Sequence, residues 1–172
     1  GSTVAVFGAG GGVGVNVVQG AQLANASQII AVDISDKKLD WSTSFGATHT
    51  VDASKQDPVR TIYELTAERG VDYSFDAVGI PTTTQQCIDV IGYRGTAILI
   101  GFPSPNATID LSLQPFFYSG GTFKSSLNGD SLGTRDFPIL VNWYLSGKLN
   151  LDNLVTRTIE LEDIDSAFSD MR

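Results

Sequence analysis

The sequence predicts an α/β fold: a doubly wound parallel sheet with helices on both faces, in a single excised domain. Three observations predict it. Short apolar runs alternate with helical patterns from Thr3 to Phe123, the first run ends in glycine, and 172 residues suffice for one domain of ordinary size. Buried strands that alternate with helices mean a parallel sheet covered on both sides.

Each element has a local reason. Thr3 to Phe7 is a short apolar run and reads as a buried strand. Gly12 to Ala24 follows as a helix, with Val13, Val17, Ala21 and Ala24 expected on its inner face, and Asn25 as its left-handed cap. Gln28 to Val32 is the second strand and Asp36 to Phe45 the second helix. A strand at Thr48 to Val51 precedes a helix from Pro58 to Arg69, where proline occupies the first turn that tolerates it. Val71 to Ala77 (strand), Pro81 to Ile91 (helix) and Thr96 to Ile100 (strand) continue the rhythm. Beyond lie an aromatic stretch at Gln114 to Tyr118, a strand at Thr122 to Ser126 and a helix from Arg135 to Ser146. A strand at Leu154 to Ile159 and a helix at Glu162 to Met171 close the chain.

Composition narrows the function. A 42% hydrophobic content fits a globular rather than a disordered chain. The net charge of −8 argues against nucleic acid or an anionic membrane as partner, since both need a basic face. It leaves room for a phosphate ligand held by backbone N–H groups. No apolar run is long enough to cross a bilayer. The single cysteine, Cys87, excludes an internal disulfide and is consistent with a cytoplasmic setting. The chain starts at Gly1-Ser2 and stops at Met171-Arg172, which reads as a domain cut from a longer protein.

The chemistry concentrates in Gly8-Ala9-Gly10-Gly11-Gly12-Val13-Gly14, between the first strand and the first helix. That is the context in which a glycine-rich turn lets a dinucleotide pyrophosphate approach the backbone and meet a helix N-terminus. Asp33 ends the second strand nineteen residues beyond Gly14. A carboxylate there accepts hydrogen bonds from the adenosine ribose and repels a 2′-phosphate, so NAD is favoured over NADP. The plainer role for Asp33 is to cap the next helix. One feature departs from the G-x-G-x-x-G spacing: counting Gly8 as the first place, the sixth is Val13 and the glycine falls at Gly14, so one residue is extra. The enlarged turn is expected to weaken NAD binding.

These segments resemble the cofactor domain of the zinc-dependent medium-chain alcohol dehydrogenases, a Rossmann domain. The similarity runs through Gly1 to Gly8, Ile30 to Ile34, Phe45 to Thr48, Gly70 to Gly79, Gly101 to Pro103 and Gly121 to Lys124. Lys124 to Asp130 and Arg135 to Pro138 look most like the mycothiol-linked formaldehyde dehydrogenase subgroup. The resemblance implies Val13 behind the nicotinamide and Lys38 beside the ribose with Asp33. It further implies that the backbone of Ile100, Ser126 and Asn128 holds the carboxamide, and that Val78 and Phe102 line the groove. Ile80 departs from an arginine that many relatives place over the adenine. Lys38 has a plainer reading as a solvated helix lysine, and Val78 and Phe102 read equally as ordinary core.

The resemblance also implies a zinc in the parent enzyme, held by cysteine and histidine. Three ligands are needed, and this chain has one Cys and one His. Cys87 reads as a small core residue and His49 as an edge-strand residue, so no catalytic or metal-ligating residue is expected here. The domain is expected to span 1–148, with 149–172 leading back toward the rest of the parent, and to be inactive alone. Alternatives are an S-adenosylmethionine methyltransferase domain, which shares a glycine turn and an acid, and a non-catalytic NAD-binding or dimerising module. Phe116, Phe117, Tyr118 and Phe123 surround a strand that pairs across a two-fold axis in the resembled family, so a homodimer is expected.

Overall fold

The apolar run Thr3–Phe7 forms β1 at the centre of the sheet, where a strand covered on both faces needs apolar side chains throughout. A computed structural model describes residues 1–170. After β1 come α1 (Gly12–Leu23), β2 (Gln28–Asp33), α2 (Asp36–Thr43), β3 (His49–Asp52), α3 (Pro58–Leu65) and β4 (Val71–Asp76). Then follow α4 (Pro81–Asp89), β5 (Ile91–Leu99), α5 (Leu113–Ser119), β6 (Thr122–Ser125), α6 (Gly133–Leu145) and α7 (Ile164–Asp170). The strands pair in parallel in the order β3-β2-β1-β4-β5-β6, so the sequence order reverses between β1 and β4.

Alternation along the strands feeds two cores. Phe7, Ile30, Ile62, Cys87 and Ile88 pack on the face covered by α3 and α4, with Phe116 of α5 half-buried against them. Val6, Val15, Val18, Ile29 and Leu39 pack on the face covered by α1 and α2. Local signals set the ends. Asp57 caps α3 through its carboxylate, which accepts the N–H groups of Val59 and Arg60, and Pro58 takes the first turn. Asn25 closes α1 with φ +58°.

Several expectations are corrected. The buried face of α1 is Val15, Val18, Gln19 and Ala21, whereas Val13 is 53% exposed and Ala24 is also exposed. Valines stand on every side of this helix, so its apolar pattern does not single out a face. Helix α3 ends at Leu65 rather than Arg69, because Ala67 and Glu68 turn left-handed (φ +50° and +62°). Ile91 begins β5 rather than ending α4. The stretch around Gln114 is helical, with Pro115 in its first turn. Residues 155–159 form no strand: a short 3-10 turn at Asp152–Leu154 precedes irregular chain. Their alternating pattern finds no ladder partner. Of the expected last helix, Ile164–Asp170 is helical, and Met171 lies outside the described residues.

Candidate dinucleotide site

Strands β1, β2 and β4 end on the same side, at the point where strand order reverses, and a cleft of about 330 Å³ opens there. In open α/β sheets this crevice is where ligands bind. Gly8 and Gly11 line it from the turn after β1, Asp33 from the end of β2, Lys38 from α2 and Val78 from the turn after β4. A larger open cleft of about 860 Å³ lies at the opposite ends of the strands, beside Thr3, Val71 and Ile91, and holds none of these residues.

The turn is shaped by close approach. Gly8 adopts φ +74°, and a Cβ on Gly14 would stand 2.0 Å from the Gly8 carbonyl oxygen, so only glycine lets α1 sit this close to β1. Gly11 is the N-cap of α1, and its own N–H donates to the Gly8 carbonyl at 3.1 Å. The N–H groups of Gly12, Val13 and Gly14 therefore open α1 without an intrahelical acceptor. A Cβ on Gly12 would meet nothing within 4 Å, so the first residue of α1 borders open space. A pyrophosphate fits this cradle chemically: free donors, a positive helix end and no side chain in the way.

Asp33 is only 8% exposed. Its Oδ1 accepts the Ile34 N–H at 2.8 Å and its Oδ2 the Gly10 N–H at 3.1 Å. It does not cap α2, whose N-cap is Ser35. Lys38 is exposed on α2 beside it, and Ile34 and Ile80 give the outer cleft an apolar wall. Val78 and Phe102 are not core: they are 41% and 88% exposed.

Ile100 and Ser126 line a neighbouring groove across β4, β5 and β6. Ile100 donates its N–H to the Asp76 carbonyl and Ser126 to that of Leu99, both at 2.9 Å, so neither N–H is left for a ligand. Asn128, Phe102 and Val13 line neither cavity. Asp76 is a further residue of the site that the glycine motif does not point to. It is fully buried; its carboxylate accepts the Val78 and Gly79 N–H groups and the Thr84 hydroxyl, and its carbonyl accepts the Ile100 and Gly101 N–H groups. It thereby joins the two turns that carry Val78 and Phe102. An acid at the end of β4, placed as Asp33 is at the end of β2, was the available signal.

At the far edge, Lys55 bridges Asp36 and Asp52, each at 2.7 Å. The Lys55 ammonium, then the Ser54 hydroxyl, hold Asp52 well below the usual carboxylate range. Cys87 is fully buried and bonded to Ser74 at 3.1 Å; burial pushes its thiol up to about 12. His49 starts the edge strand β3, exposed, with Thr48 Oγ1 at 2.9 Å from its Nδ1. Among the described residues no three of His, Cys, Asp and Glu converge as a ligand set. Cys87 in the core and His49 on the edge strand do not fit a zinc centre.

Fold and cleft together define an α/β domain of the Rossmann type. The profile of a family described as zinc-binding dehydrogenase matches residues 12–146, and the chain belongs to that family. It is 35% identical over 178 residues to the class-3 alcohol dehydrogenase of Cereibacter sphaeroides, covering 98% of this chain and 46% of that protein. It is 37% identical over 177 residues to the S-(hydroxymethyl)glutathione dehydrogenase of Candida maltosa, covering 99% of this chain and 45% of that protein. The benzyl alcohol dehydrogenase of Acinetobacter calcoaceticus superposes with TM-score 0.94 at 32% identity, over 99% of this chain and 46% of that one. The chain thus spans about half the length of the relatives it matches. The methyltransferase alternative falls with this membership.

Proposed function

We propose that the chain is the NAD-holding domain of an alcohol dehydrogenase acting on an alcohol or an aldehyde adduct, and is inactive alone. The observation that carries this is the convergence of the glycine turn, Asp33 and Lys38 on one cleft at the reversal of strand order. Asp33 accepts hydrogen bonds from the adenosine ribose, with Lys38 beside it; the N–H groups of Gly12, Val13 and Gly14 hold the pyrophosphate. Val78 gives apolar surface in the cleft, and Val13 and Phe102, exposed outside it, are the apolar side chains left for the nicotinamide end. The carbonyls of Ile100 and Ser126, with the backbone of Asn128, receive the carboxamide. NAD supplies the hydride chemistry; the chain orients it and keeps a 2′-phosphate away from Asp33. Zinc belongs to the rest of the parent, toward which residues 149–172 lead.

Titrating the chain with NADH, NADPH and S-adenosylmethionine, read by nucleotide fluorescence and calorimetry, tests this. NADH is expected to bind more tightly than the other two, and equal binding of NADPH would sink the role given to Asp33. A cytoplasmic setting and a homodimer belong to the same reading. Strand β6 is an exposed edge, with Phe117 and Tyr118 exposed beside it and Phe123 on it. Light scattering that shows only monomer at high concentration would remove the dimer.

A further inference from the structure

The turn holds one residue more than the six-residue glycine spacing, and its position in the fold is visible. Gly14 keeps its close contact with Gly8, and Gly11 caps α1, so the extra length is absorbed at Ala9 and Gly10. Gly10 leans onto α2. A Cβ there would stand 2.2 Å from the Lys38 Cβ and 2.9 Å from the Lys38 Cα and carbonyl oxygen, so no other residue type fits. From this position its N–H donates to Asp33 Oδ2, while Ile34 occupies Oδ1. Both oxygens of the acid are thus already engaged by the protein.

We propose that Gly10 is a specificity-determining residue of the dinucleotide site, its N–H competing with the adenosine ribose for Asp33. The proposal rests on the NAD-holding role above. A carboxylate oxygen accepts more than one hydrogen bond, so Gly10 weakens ribose binding without abolishing it. Its contact with the Lys38 backbone locks turn and helix together, which keeps the N–H on the acid. The added residue therefore acts on the ribose and leaves the helix N-terminus that meets the pyrophosphate in place.

Deleting Gly10 from the chain restores the six-residue spacing. NADH is expected to bind about fivefold more tightly to the deletion variant, the size of one modest hydrogen bond. The gain is expected to vanish when Asp33→Asn is present in both proteins. Unchanged or weaker binding by a folded deletion variant overturns the proposal, and so does a gain that survives Asp33→Asn. A second measurement needs no variant, and decides the matter if the deletion does not fold or Asp33→Asn binds too weakly to titrate. In the isotope-labelled chain the Gly10 amide proton is expected to move upfield as NADH saturates the site, and a stationary resonance overturns the proposal. Failure of the unmodified chain and the deletion variant alike to bind NADH overturns the NAD-holding role itself.

Discussion

The chain up to Ser126 and the chain beyond it use apolar residues in opposite ways. In the first part, Phe7, Ile30, Ile62, Val15 and Val18 are fully buried in the two cores. In the second, α6 buries none of its residues, and Phe137, Leu145 and Phe168 stand 63%, 74% and 60% exposed. Apolar surface of that extent on ordered helices belongs to a packing interface that these residues do not find within the sheet domain. What ties the second part to the first is local. Gln19, buried in α1, donates to the Asn150 carbonyl at 3.1 Å and accepts the Asn150 N–H at 2.8 Å, and Leu154 packs on the α1 core. The sheet is self-sufficient, whereas the tail is tethered to it.

That contrast is open to attack from several sides. Phe7→Ala is expected to cost about 3–5 kcal/mol in urea unfolding, the range for emptying a buried aromatic site. A small loss would mean the sheet core is not the main source of stability. Asp33→Asn is expected to weaken NADH binding by about 10- to 100-fold in a fluorescence titration, because a charge-assisted hydrogen bond is removed. Its effect on unfolding should be far smaller than that of Phe7→Ala.

Gln19→Ala is expected to cost about 1 kcal/mol, since it leaves the half-buried Asn150 backbone groups without their Gln19 partner. Limited proteolysis should then cut the tail first and leave the sheet resistant. The acid side of the stability curve gives a finer test. Asp52 is held low in the folded state, so its contribution is present above about pH 4, where the unfolded carboxyl ionises, and is lost as pH falls through the folded value. Lys55→Met should flatten that acid limb, and an unchanged limb would show that another carboxylate controls it. The smallest effect belongs to the tail: Phe137→Ser is expected to change stability by no more than about 0.5 kcal/mol.

Legibility in the sequence follows the same division. Strand β1 is read to the residue, and the helices through α4 are read with ends displaced, because strands buried on both faces leave continuous apolar runs that glycine, proline and Asn25 punctuate. The placement of Asp33, Gly8 and Gly11 along one cleft follows from the motif and its spacing, and that of Lys38 and Val78 from the family resemblance. The lean of Gly10 onto Lys38 is not legible, since the five successive glycines and alanines from Gly8 to Gly12 carry no directional signal. Nor is the exposure of Phe102 and Val78, because an apolar residue reads as core until the fold shows which neighbours reach it. Residues 155–159 were misread because alternation describes a strand's two faces and says nothing about whether an edge is available.

The amide pair between Gln19 and Asn150 has a mechanical consequence. Helix α1 is a rigid rod, and Gln19 lies only five residues along it from Gly14 of the glycine turn. A displacement of the tail pulls on that rod, and its leading end meets whatever occupies the turn. Grip on the nucleotide and posture of the tail are thereby two readings of one lever. Amide exchange at Gly12 to Gly14 that accelerates in Gln19→Ala would record its release, and exchange indifferent to the substitution would show that the rod is not loaded.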